Sequence, residues 1–165
     1  MTRREAREQA LCLVFEGLFT DEPLPSIIEY AKEARQLDPD PFARQLAAGV
    51  FEFQTEIDAK IEQYSIRWSK RRLSRVVLSI LRMAIYEMEH IDDVPVSVTI
   101  NEAVELAKKY GGDGDSGFVN GILGAVARAD EKAVPDDTAV PETKPESSET
   151  PGDADGGPSD PVQTK

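Results

Sequence analysis

The stretch Val94-Pro-Val-Ser-Val-Thr-Ile-Asn-Glu-Ala-Val-Glu-Leu-Ala-Lys-Lys-Tyr-Gly111 reads as a helix with both ends marked. Pro95 starts the segment. Thr99-Ile-Asn-Glu102 has capping-box spacing, in which a Thr hydroxyl and a Glu carboxylate satisfy free backbone N–H groups. Ile100, Ala103, Val104, Ala107 and Tyr110 recur with the helical period and form one apolar stripe. Lys108 and Lys109 sit in the last turn, where cations suit the helix dipole, and Gly111 can take a left-handed cap. A further helix is predicted over residues 116–129.

The same period runs back towards the amino terminus. Residues 73–88 carry Leu73, Val76, Val77, Ile80, Leu81, Ala84, Ile85 and Met88, an apolar face too wide for a surface helix, so this helix is expected at the centre. Phe42, Leu46, Val50 and Phe53 predict a helix over 42–53, and Thr55-Glu-Ile-Asp58 is read as the cap of another running towards residue 66. A second helix over 27–37 ends at Asp38-Pro-Asp-Pro41. The first, over 2–19, opens on the capping box Thr2-Arg-Arg-Glu5. No strand-like alternation of useful length and no internal repeat is present. The expectation is an all-α fold of about seven helices in two packed three-helix groups.

Residues 131–165 differ in kind. They hold six of the eleven prolines, and nine acids against three lysines, a net charge of −6. Such a segment cannot bury enough apolar surface to offset its ordering entropy, so it is expected to be a disordered acidic tail behind a domain of residues 1–130. That domain keeps 16 bases and 22 acids, and they are segregated: residues 64–86 contain Arg67, Lys70, Arg71, Arg72, Arg75 and Arg82 and no acid. A low overall pI therefore does not decide against a polyanionic ligand, because the local field governs phosphate binding.

Several classes of chemistry find no support. With Cys12 alone, no intramolecular disulfide can form, and Cys12 in an apolar helix reads as a small core residue. His90 is the only histidine and reads as a helix-end residue meeting its own dipole, so neither a metal site nor a cofactor is expected. No apolar run approaches the roughly 20 residues that span a bilayer, and the amino terminus lacks a signal-peptide core, which predicts a soluble cytoplasmic protein with no membrane partner. Gly112-Asp-Gly114-Asp-Ser-Gly117 fits G-x-G-x-x-G, yet a predicted helix precedes it where a dinucleotide fold needs a strand. An EF-hand beginning at Asp113 would put Gly124 where a bidentate Glu is required.

Two features favour RNA. Arg3, Arg4 and Arg7 crowd the start of the first helix, where positive charge opposes the dipole unless a ligand uses it; the plain alternative is a solvated turn neutralised by Glu5 and Glu8. Arg67-Trp68-Ser-Lys70-Arg71-Arg72-Leu73-Ser-Arg75 interleaves bases with an aromatic, either for phosphate contact and base stacking or with Trp68 and Leu73 anchoring a loop.

The block 94–111, followed by Phe118-Val-Asn-Gly-Ile-Leu123, strongly resembles the carboxy-terminal signature of the NusB family. Leu81-Arg-Met-Ala-Ile-Tyr-Glu-Met88 is similar to the helix before it, and Arg3-Arg-Glu-Ala-Arg-Glu-Gln-Ala10 to the arginine-rich opening of helix one. The resemblance covers about residues 2–128 and implies two three-helix groups and no catalysis. It also implies binding of boxA-type RNA of ribosomal RNA leaders together with NusE, within the RNA polymerase antitermination complex. RNA contacts then fall to Arg3, Arg4, Arg7, Phe118 and Asn120, with Phe118 either a stacking platform or a core aromatic. Partner contacts fall to Phe15, Val77 and Arg82. Three departures stand out. Glu5 stands where a third arginine can occur, Gly117 where relatives often carry Lys, and Val77-Leu78 where an acidic-basic pair is frequent. The last puts NusE docking in question and leaves an apolar helix that is either buried or the seat of a homodimer. Two rival readings remain: an accessory domain of an RNA methyltransferase, and a protein-interaction module without RNA binding. The tail is either an electrostatic competitor at the RNA site or an aid to solubility.

Overall fold

Thr2 begins the fold as the sequence predicts. Its Oγ1 accepts from the Glu5 N–H at 3.1 Å, and its own N–H donates to Glu5 Oε2 at 2.7 Å. Helix α1 (Arg3–Glu16) runs from this box into a 3-10 turn at Gly17–Phe19. Then come α2 (Leu24–Arg35), α3 (Pro41–Tyr64), α4 (Arg75–His90), α5 (Val96–Tyr110) and α6 (Asp115–Ala133). The computed structural model describes residues 1–65 and 73–133, with side chains through residue 131. Among these residues all regular structure is helical. The predicted segment 67–72 and the tail beyond residue 133 lie outside the described residues.

Among the described residues six α-helices stand where about seven are expected, because the two helices predicted on either side of residue 54 are one, Pro41–Tyr64, bent at Phe53 (φ −105°, ψ 18°). Thr55 therefore caps nothing; Asp40 caps α3, its Oδ1 accepting from Phe42 N–H at 2.9 Å, with Pro41 in the first turn. An aromatic stack lies at the bend, with Phe53 4.5 Å from His90 and His90 4.7 Å from Tyr86. Gly49 makes room for it: a Cβ there would sit 2.1 Å from the Tyr86 ring.

The two expected three-helix groups are present, α1–α3 and α4–α6, with α4 packed against α1, α3, α5 and α6. The wide face of α4 is buried as expected: Val77, Ile80, Leu81, Ala84 and Ile85 join Leu13, Leu46, Val50, Ile57, Ile122 and Leu123 in one core. Helix α5 starts a turn earlier than the Thr99 capping box implies. Thr99 is buried inside it. The left-handed residue after α5 is Gly114 (φ 82°), whereas Gly111 is extended. Helix α6 continues to Ala133, into the stretch read as tail.

Burial corrects several expected contacts. Phe118 is 1% exposed and belongs to the core, so it offers no face to a base. Arg7 points inward: its Nε and Nη2 donate to the two Glu87 carboxylate oxygens at 2.9 and 2.6 Å. Glu87 Oε2 also accepts from the Thr99 hydroxyl at 2.7 Å, so the network joins α1, α4 and α5. Val77 is buried in the core, which removes it from any partner surface, while its neighbours Val76 and Leu78 are partly buried. Arg82 is buried against Asp58 of α3 through bonds of 2.8 and 2.7 Å. Cys12, conversely, is exposed.

Two stability measurements check this packing. Phe118→Ala should cost about 3–5 kcal/mol in urea denaturation, as for other buried aromatics; a loss near zero would restore the surface reading. Arg7→Ala should cost about 3–5 kcal/mol because it strands the Glu87 charge. Replacing both partners, Arg7→Met with Glu87→Leu, should recover most of that loss, and equal damage from the single and double variants would contradict the pair.

Candidate nucleic-acid interface

The three arginines at the start of α1 take three different partners. Arg7 is inside. Arg3 lies half exposed over the Phe42 ring, its guanidinium carbon 3.9 Å from the ring centroid, with Asp93 at 3.9 Å. Arg4 leans onto α5, where its Nε and Nη2 donate to Glu102 at 3.0 and 2.9 Å. Glu5 is engaged by Thr2, and those hydrogen bonds hold its carboxyl below the usual range. The departure from a third arginine thus has a local role as a cap.

Next to Arg4 the last turn of α5 adds residues that sequence reading did not assign to a site. Lys109 Nζ donates to Glu8 Oε1 at 2.8 Å, and the Tyr110 hydroxyl donates to Glu8 Oε2 at 2.9 Å. Lys108 reaches Glu105 at 3.4 Å. Arg4, Glu8, Glu102, Glu105, Lys108 and Lys109 line a groove of about 350 Å³ between α1 and α5. The signal was present as Lys108-Lys109. Its partner lies about 100 residues away in α1, so local spacing pointed only to the helix dipole. Asn120 is exposed on α6, and Gly117, also exposed, has open space around it. Arg3, Arg4 and the α5 lysines are therefore exposed cations, whereas Arg7 and Phe118 lie within.

At the carboxy-terminal end of α1 a mainly apolar groove of about 480 Å³ is lined by Phe15, Phe19, Ile27 and Tyr30. Phe19 and Tyr30 are 57% and 63% exposed, and Phe15 packs edge-on against Phe19 at 5.1 Å. Arg75 lies over the Phe19 ring at 4.6 Å. Of the expected partner residues Phe15 alone remains at a surface. Among the described residues no group of His, Cys, Asp and Glu could hold a metal, and no helix is long and apolar enough to cross a membrane.

The α1–α5 pairs have a pH signature. Glu102 is held below the usual 4.5 of a glutamate by its Arg4 hydrogen bonds, and Glu8 likewise by the Lys109 hydrogen bond. A carboxylate depressed in the fold stabilises fully above its unfolded pKa, and that contribution disappears as pH falls through the folded value. Thermal melts from pH 7 down to pH 3 should therefore fall less steeply in a Glu8→Gln, Glu102→Gln variant than in the parent; parallel curves would show that the pairs add no acid sensitivity.

The chain is similar to known proteins over most of its length. The model described as the NusB family matches residues 1–128. The transcription antitermination protein NusB of Geobacillus kaustophilus (strain HTA426) is 45% identical over 136 residues, covering 80% of this chain and 100% of its own length. The crystal form of T. maritima NusB superposes with a TM-score of 0.68 at 38% identity, covering 78% of this chain and 92% of that one. Antitermination factors NusB and NusE in complex with dsRNA include a chain that is 25% identical with a TM-score of 0.66, covering 77% of this chain and 96% of that one. The family match spans both three-helix groups and every helix that carries the two grooves, and on that extent the chain belongs to the NusB family.

Proposed function

We propose that this chain is a transcription antitermination factor. In this reading it binds boxA-type RNA of ribosomal RNA leaders together with NusE and helps RNA polymerase read through terminators. It works in the cytoplasm as an adaptor that makes and breaks no bond. The observation that carries the reading is the exposed pair Arg3 and Arg4 at the start of α1, extended by Lys108 and Lys109, on a chain whose net charge is −12. Each of these cations lies beside a carboxylate, yet its side chain stays more than half exposed, so a phosphate can reach it. The Phe15–Phe19–Tyr30 groove is the docking face for NusE in this reading. Its exposed aromatics are the residue types on which protein interfaces concentrate binding energy.

The test is a gel-shift titration of leader RNA with and without NusE. Arg3→Ala with Arg4→Ala should weaken binding and flatten the dependence of log affinity on log salt by about 0.7 per lost single-strand phosphate contact. Unchanged affinity and slope would remove RNA binding from this surface and leave the interaction-module reading.

A further inference from the structure

We propose that Glu8 and Glu102 are built-in masks on the phosphate-binding surface, which extends across the α1–α5 groove to Lys108 and Lys109, so that single-stranded RNA binds there by taking Arg4 and Lys109 from these carboxylates. The inference rests on the RNA-binding reading above and adds to it the residues that set its threshold.

The groove is electrically balanced. Arg4, Lys108 and Lys109 face Glu8, Glu102 and Glu105, and each cation is engaged by a carboxylate. The partners of the two close pairs are not equivalent in exposure. The Arg4 and Lys109 side chains are 59% and 58% exposed, whereas those of Glu102 and Glu8 are 14% and 28% exposed. The acids are thus held against the protein and the bases lie outside them, open to an incoming phosphate. Glu8 is further fixed by the Tyr110 hydroxyl. Phosphate and carboxylate oxygens compete for the same N–H donors, and a neutral groove provides little long-range attraction to a polyanion. RNA gains these cations only where its backbone places a phosphate against them.

Amide substitution keeps shape and removes the charge. In titrations of the full chain with a boxA-type RNA and a scrambled RNA of equal length, Glu8→Gln and Glu102→Gln should each raise affinity for both RNAs. The expected rise is about two- to five-fold, the range set by what an exposed ion pair is worth. The salt slope should steepen by about 0.7 for each cation newly given to phosphate. Lys109→Ala placed in the Glu8→Gln background should cancel the Glu8→Gln gain. Glutamine variants that fold like the parent and bind RNA no more tightly would overturn the masking, and would make the carboxylates positioning groups for Arg4 and Lys109. Absence of salt-dependent binding in every protein, the parent with NusE included, would instead overturn the RNA reading and this inference with it.

Discussion

Arg7 enters the interior from α1 and meets Glu87 of α4, which also receives the Thr99 hydroxyl of α5. Three helices from the two groups are pinned at that point. A buried ion pair contributes little net stability against a well-packed apolar substitute, because both charges lose their water. Its geometry is demanding, however: a bidentate guanidinium accepts a carboxylate in few orientations. With Arg7 committed inward, the rotation of α1 is set. Arg4 and Glu8 then face α5, Arg3 falls over Phe42, and Phe15, about two turns beyond Glu8 on the same stripe, reaches the apolar groove. The arrangement of both surfaces follows from one charge that neither surface displays.

The interface that results differs from a simple basic patch. Its cations are ordered by acids, and Tyr110 beside Lys109 is tied to Glu8 rather than free to rotate. Such a surface has low appetite for arbitrary polyanions and little entropy left to lose when a suitable one arrives. For an acidic protein working beside abundant nucleic acid, that combination favours recognition over adhesion.

Much of the fold was legible because helical periodicity is a local property. The capping box at Thr2 and the central burial of α4 follow from spacing within single helices, while the two groups are implied by the family resemblance. The bend at Phe53 was read as a break because Thr55-Glu-Ile-Asp58 resembles a cap; spacing alone does not distinguish a capped start from a continuing turn. The site was less legible. Arg3 and Arg7 are four residues apart and should share a face, yet Arg3 sits at the helix end, where its side chain reaches outward, and Arg7 one turn deeper meets Glu87. That partner lies 80 residues on, beyond the reach of any local pattern. Phe118 could have been placed from its own helix: Phe118, Val119, Ile122, Leu123 and Val126 form an apolar stripe, and all five are buried.

Cys12 has a consequence of a different kind. It is the only thiol in the chain and it lies at the surface of α1. Two copies can therefore be joined through one disulfide and no more, in a symmetric pair that owes nothing to complementary surfaces. Its surroundings withdraw enough water to raise the thiol above its usual 9.0, so little thiolate exists near neutrality and the coupling is slow. Ageing in air would then slowly create a covalent dimer that a reductant dissolves, a species separate from any association the protein makes through its folded faces.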